Sequence, residues 1–246
     1  MDNAIKAIIA ESGDNFGKLL AAGLSAEGIG VSVCSKGGSE LAEVIAREEA
    51  DAVIIVDKGN GSEISEFISA CHERVHKTFF IVISEGCNEF REMLGGCSCV
   101  ITHPVDAKQI SRIIVSAYIR RCGDTGRDDV EKYAAAMLCE SGVIANLRGT
   151  CYLARALSAA VNDSGQSCDI CGVYEAVARE FGKTAASVER AVRIAVRLAW
   201  DRGDRELMSK AFGDIPANSR FIEYFSDKLC ARIIRDGIPS VVDSEQ

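Results

Sequence analysis

The feature that most limits this chain is a change of hydrophobic period near residue 120. Upstream, the short β-rich runs Ala4–Ile9, Val31–Cys34, Ala52–Val56, Phe79–Ile83 and Cys99–Ile101 alternate with helical patterns near 14–27, 39–49, 62–74, 88–95 and 106–120. Downstream the strand patterns stop, and helical patterns follow one another near 129–141, 149–163, 171–181, 185–201, 204–212 and 218–235. Strands alternating with helices of this size require a parallel sheet with helices on both faces, and five such units fit the doubly wound flavodoxin-like order. Helices joined by short turns make a compact all-α domain. The expected organisation is an α/β flavodoxin-like domain over residues 1–120, a linker over 121–128, an all-α helix-turn-helix domain over 129–236 and a frayed tail over 237–246. The linker is expected because Arg120–Asp128 carries two glycines and five charges in nine residues, with no apolar periodicity.

In an open parallel sheet, ligands and chemistry gather beyond the carboxyl ends of the strands. Glu11 and Ser12 follow the first run, Asp57 the third, Ser84 the fourth, and His103 and Pro104 the fifth. Two carboxylates, two hydroxyls and an imidazole are thereby expected at one end of the sheet. This arrangement resembles the receiver domain of response regulators. The resemblance implies that Asp57 is the phosphoacceptor, Ser84 the switch hydroxyl, Glu11 the first acidic position and Pro104 the proline after the fifth strand. The departures are Ser12 in place of the second acidic residue and His103 in place of a lysine that pairs with the phosphoryl group. Lys58–Gly61 also lacks the family's turn sequence. Mg²⁺ prefers hard oxygen ligands, often carboxylates, and phosphoryl transfer relies on the metal to neutralise charge. The resemblance therefore implies a divalent-cation site, Mg²⁺ or Ca²⁺, with Glu11 and Asp57 as ligands, that Ser12 weakens. No residue here suggests a reaction on a small molecule, so the chain is not expected to be an enzyme.

The downstream half carries a sharper pattern over 173–190. Val173, Val177 and Phe181 share one helix face, Ala178 leaves room for a partner helix, Gly182 suits a helix end and Thr184 an N-cap. Two helices separated by a short glycine-containing turn make a helix-turn-helix. On the second helix, Val188, Ala191, Val192, Ala195 and Leu198 or Ala199 are expected to point inward. That leaves Glu189, Arg190, Arg193 and Arg197 outside, the arginines forming a stripe at steps of three and four. Trp200 is expected in the core. Such a helix suits the major groove, where arginine pairs with guanine and glutamate accepts from cytosine. A solvated charged face has the same pattern, so periodicity alone leaves both readings open.

Ser141–Leu153, Val161–Asp163, Thr184–Asp204 and Phe212–Ile222 together are similar to the effector domain of the stage 0 sporulation protein A family, over residues 129–235. The resemblance implies base contacts by Glu189, Arg190 and Arg193, with Arg148 and Lys183 as phosphate-positioning candidates. Ser187 stands where family members can carry arginine. It further implies double-stranded DNA with a TGTCGAA-type box as the partner, a phosphotransfer protein upstream, and homodimerisation.

Composition limits the alternatives. The net charge is −8, with 28 Lys and Arg against 36 Asp and Glu, which disfavours non-specific nucleic-acid binding. Between residues 179 and 205 the balance inverts, to seven basic against four acidic residues. Eleven cysteines without regular spacing do not form a disulfide framework. The first residues lack a signal-peptide layout and no apolar run reaches membrane-spanning length, so a reducing cytoplasm is expected. Cys168 and Cys171 make a lone C-x-x-C, short of the four ligands of a structural zinc site. Cys97 and Cys99 are expected to be buried beside the fifth strand. Two other readings stay open. One is a pseudo-receiver interaction module that modulates a phosphorelay or an intact paralogue. The other, a small-molecule sensor, is disfavoured by the acidic Glu11–Asp14 where a phosphate loop would stand.

Overall fold

The computed structural model describes residues 5–10, 15–35, 37–57, 59, 61–72, 75, 77–84, 99–102, 104–145, 147–162 and 169–238. They fall into two compact units. One spans residues 1–118 with the short segment 234–237, and the other spans 119–233 with 238–246.

The first unit is built on five strands: β1 Lys6–Ala10, β2 Gly30–Cys34, β3 Ala52–Asp57, β4 Phe79–Ser84 and β5 Cys99–Thr102. All pair in parallel, in the order β2-β1-β3-β4-β5. This is the flavodoxin-like doubly wound order, as the alternation of periods predicts. The central strands read as near-continuous apolar runs because both faces are covered. Ile54, Phe80, Ile81, Val82 and Ile83 have no exposed surface. The helices α1 Asn15–Ala26, α2 Gly38–Glu48, α3 Gly61–His72 and α4 Ala107–Arg121 complete the alternation. Leu41 and Ile45 of α2 join Ile8, Val53, Phe80 and Val82 in one core cluster. Lys6 N–H donates to Asp51 Oδ2 at 2.9 Å, and the Thr78 hydroxyl donates to the Ala50 carbonyl at 2.9 Å, so polar groups fix the starts of β1 and β4. The helical pattern near 88–95 lies outside the described residues.

The second unit holds α5 Gly123–Glu140, α6 Arg148–Asn162, α7 Ile170–Glu180, α8 Ala185–Arg202, α9 Arg205–Phe212 and α10 Asn218–Asp236. The stretch expected as a linker differs from expectation. Residues 123–128 form the first turns of α5, polar and with little apolar surface before Val130, which is why they show no periodicity. The tail from 239 onward lies outside the described residues.

Glycine lets two helices of this unit meet. A Cβ on Gly149 of α6 would sit 2.2 Å from the Ala191 carbonyl oxygen and 3.0 Å from the Ala195 Cβ of α8. The backbones therefore approach closer than any side chain permits. Phe212, Phe221, Tyr224 and Phe225 form a second apolar centre, with centroid separations of 4.5 to 5.6 Å.

Candidate functional site

The turn between α7 and α8 is fixed by its own residues. Lys183 N–H donates to the Ala178 carbonyl at 2.8 Å and Gly182 N–H to the Arg179 carbonyl at 3.5 Å. This pair of bonds is a Schellman ending, and Gly182 takes the positive φ of 60° it requires. The Thr184 hydroxyl accepts from Ser187 N–H at 3.3 Å and caps α8, as the sequence predicts. The Ser187 hydroxyl donates back to the Thr184 carbonyl at 3.3 Å, so Ser187 belongs to the cap. The Asp169 side chain caps α7 by accepting from Cys171 N–H at 3.1 Å.

The face α8 buries consists of Val188, Val192, Ala195, Val196 and Ala199. Ala191, Leu198 and Trp200 are half-buried, so Trp200 is at the border of the core and not within it. Phe181 is 38% exposed. It stands at the C-cap, where the chain leaves helical phase, and packs its edge on Tyr152 at 4.9 Å.

The opposite face of α8 carries exposed Arg190, Arg193 and Arg197. Arg193 pairs with Glu189 one turn earlier on the same helix. A guanidinium has five donors in a fork, so this pair orients Arg193 and leaves donors over. The Asn218 side-chain amide donates to the Glu189 carbonyl at 3.3 Å and ties the start of α10 to α8. A groove of about 580 Å³ lies there, lined by Tyr174, Glu189, Arg193, Arg197, Ile215 and Asn218 among others. Burial is the main cause that holds the Tyr174 phenol above its ordinary range, partly offset by Asn218. Glu189 and Arg193 are thus brought together and Arg190 shares their helix. Lys183 is exposed in the turn and Arg148 is exposed at the first residue of α6. Tyr174 and Asn218 are the members that periodicity could not have named, since each joins the site from another helix.

The strand-end site of the first unit is partly described. Asp57 ends β3 and is 5% exposed. Its Oδ1 accepts from Gly59 N–H at 2.9 Å and its Oδ2 from the Ser84 hydroxyl at 3.3 Å. The sheet register sets Asp57 opposite Ser84 and Ser84 opposite Thr102, at the carboxyl edge of three adjacent strands. Pro104 is described as exposed chain, whereas Glu11, Ser12, Lys58 and His103 lie outside the described residues. Among the described residues no group of three His, Cys, Asp or Glu is placed to hold a metal ion. Cys99 is the first residue of β5 and only half-buried, and Cys171 is exposed on the first turn of α7. Cys97 and Cys168 lie outside the described residues.

Residues 134–229 match the family model described as the sporulation initiation factor Spo0A C terminal. The helical unit is Spo0A-like. The matched stretch runs from α5 to α10 and contains the whole α7-turn-α8 motif. The chain is also similar to solved structures of response regulators. A Burkholderia pseudomallei response regulator is 13% identical, with 76% of this chain and 97% of that chain covered and a TM-score of 0.39. FixJ from B. japonicum is 10% identical, with 92% and 98% covered and a TM-score of 0.40. The pseudo-receiver domain of the CikA protein is 13% identical, with 48% and 98% covered and a TM-score of 0.39. A unit with the flavodoxin-like strand order thus precedes a helical unit that contains the Spo0A C-terminal match. Among the described residues no helix is long and apolar enough to cross a membrane.

Proposed function

We propose that the protein is a sequence-specific DNA-binding regulator of sporulation or developmental type, acting in the cytoplasm, with an atypical receiver domain in phosphorelay signalling. The observation that carries this reading is the exposed Arg190-Arg193-Arg197 face of α8, inside the stretch that matches the Spo0A effector model. In this reading Glu189, Arg190 and Arg193 contact base edges in a TGTCGAA-type box, while Lys183 and Arg148 position the phosphates. Phosphate contacts add affinity without sequence information. An overall acidic chain with a local cationic face suits a protein that relies on base contacts to stay bound.

The receiver edge has a different standing. Asp57 keeps the phosphoacceptor position, and both its oxygens accept hydrogen bonds. With Ser12 and His103 replacing an acidic residue and a lysine, Asp57 is a poor phosphoacceptor, and a divalent cation binds weakly there through Glu11 and Asp57. Control of DNA binding then runs through a phosphotransfer partner that docks on the receiver, or through homodimerisation on tandem boxes.

The test is fluorescence anisotropy of the full chain on a duplex with the box and on a scrambled duplex, at two salt concentrations, with Arg193→Ala alongside. The reading expects preference for the box and its loss in Arg193→Ala. Equal binding to box and scramble overturns it and brings forward the interaction-module reading, in which the receiver unit binds a phosphotransfer partner and DNA binding is secondary.

A further inference from the structure

Large apolar side chains are scarce on the exposed surface of the helical unit, and one of them sits on the recognition helix. Ile194 is 53% exposed. A single apolar residue at the surface is ordinary, so its exposure by itself decides nothing. Its position does. Helical residues three and four apart are neighbours on one face, so Ile194 lies between Arg190, four residues before it, and Arg197, three after. Ser187 continues the same ridge at seven residues. The buried residues Val188, Val192, Ala195, Val196 and Ala199 occupy the other side of the helix. Ile194 therefore stands near the crest of the cationic face, away from the core.

Neither packing nor helix formation accounts for isoleucine there. With about half its surface exposed it lies outside the face that the helix buries, and a β-branched side chain is a weaker helix former than alanine. A helix rises about 1.5 Å per residue, so the ridge from Ser187 to Arg197 is about 15 Å long, comparable with the roughly 12 Å width of the major groove. When arginines on both sides engage the duplex, a side chain at the crest between them faces the floor of the groove. The apolar group displayed on that floor is the thymine 5-methyl.

We infer that Ile194 is a specificity-determining residue that reads a thymine methyl in the major groove, beside the hydrogen-bonding arginines. This rests on the DNA-reading assignment of α8. It adds a term of different chemistry, in which apolar burial selects thymine over cytosine where hydrogen bonds alone would not require a methyl.

Deoxyuridine removes the methyl and keeps every hydrogen-bonding group of thymine, so it isolates this contact. Each thymine of a duplex carrying one TGTCGAA box is replaced by deoxyuridine in turn. Affinity is measured by anisotropy for the full-length wild type and for Ile194→Ala, with the scrambled duplex as reference. Alanine is the best helix former and the site is exposed, so the variant is expected to fold; circular dichroism checks that it has. At one position, uracil should weaken the wild type by about fourfold, the factor that burying one methyl-sized group gives. Ile194→Ala should bind the thymine probe more weakly by a similar factor and show no further loss with uracil, the non-additivity expected of two groups in contact. Box preference with no uracil sensitivity, or the same sensitivity in Ile194→Ala, overturns the assignment of Ile194 and leaves the DNA reading standing. No preference for box over scramble in the wild type overturns both.

Discussion

The sheet edge of the first unit and the recognition helix of the second are both built from residues whose types point to a known chemistry, but they hold those residues differently. At the sheet edge, Asp57 and Ser84 are buried and bonded to each other. On α8, Arg190, Arg193 and Arg197 face outward, and Arg193 is paired with a neighbour on its own helix. Buried polar groups that satisfy one another stabilise a fold. Exposed donors, preoriented and with bonding capacity left over, serve a partner. The difference separates a site kept in place from a site kept available, and it predicts that substitutions at the edge register as stability while substitutions on the face of α8 register as affinity.

The largest expected effect tests whether the α8 face depends on the scaffold beneath it. Gly149→Ala puts a Cβ 2.2 Å from the Ala191 carbonyl oxygen, so α6 and α8 must separate. Overpacking of this kind costs about 1–3 kcal/mol, and contact with backbone places this site at the upper end. Gly59 beside Asp57 has a positive φ of 100° but open space around it, so Gly59→Ala should cost backbone strain alone, about 1–2 kcal/mol. Urea denaturation of each variant checks the ranking. Equal losses would mean that the two sites are equally constrained and would remove the structural half of the comparison.

Next in size is affinity. Arg193→Ala should weaken box binding by about 1–3 kcal/mol and relax base preference at one position. Lys183→Ala should weaken box and scramble alike and lower the salt slope by about one unit. Acetyl phosphate with Mg²⁺ should shift the affinity of the wild type by less than Arg193→Ala does. A larger shift, abolished in Asp57→Asn, would show a working phospho-switch and reverse the ranking of the two regions.

How much of this was legible in the sequence depends on the range of the interaction involved. The five strands follow from apolar runs, and the α7-turn-α8 motif from Gly182 and Thr184, because a helix ending and a cap are decided within a few residues. Val196 was missed and Leu198 was offered as an alternative to Ala199, because Val196 and Leu198 both flank the stripe of Val188, Val192, Ala195 and Ala199. Which flank is buried depends on what packs against it. Tyr174 and Asn218 were not assigned to the recognition face for the same reason. Asn218 reaches the Glu189 carbonyl across 29 residues of sequence, and no local period records that. The first turns of α5 were expected to be linker because polar helical turns carry no apolar signal. At the sheet edge, strand order alone brought Asp57 and Ser84 to one end of the sheet, and the parallel register then sets the two side by side.

Single hydrogen bonds should give smaller effects that still tell the regions apart. Ser84→Ala removes a buried donor to Asp57 and should cost about 1 kcal/mol of stability with no change in box affinity. Thr184→Ala removes the cap of α8, a loss of about 1 kcal/mol, and should weaken DNA binding as well because the cap orients the start of the recognition helix. Chemical denaturation with anisotropy separates the two. Weakened box binding in Ser84→Ala would mean that the receiver edge and the DNA face are not independent.

The smallest effect concerns pH and lies in the ion pairs that link α5, α6 and α7. Arg155 of α6 bridges Glu180 of α7 at 2.6 Å and Glu131 of α5 at 3.4 Å. Burial is the first cause that raises the Glu131 carboxyl above its ordinary 4.5; Arg155 opposes it, and the charges of Glu180 and Asp128 add to it. A carboxyl whose pKa is higher folded than unfolded binds its proton more tightly in the folded state. By linkage, stability then rises as pH falls through the raised folded value and levels off below the unfolded one. In the window just above 4.5 the wild type should therefore gain from Glu131 as the solution is acidified, whereas Glu131→Gln, which carries no proton to bind, should lack that increment. The measurement is the urea midpoint of both proteins across that window. Parallel curves would show that Arg155 compensates Glu131 fully, and the network would then be a neutral strut between helices with no part in how the scaffold responds to acid.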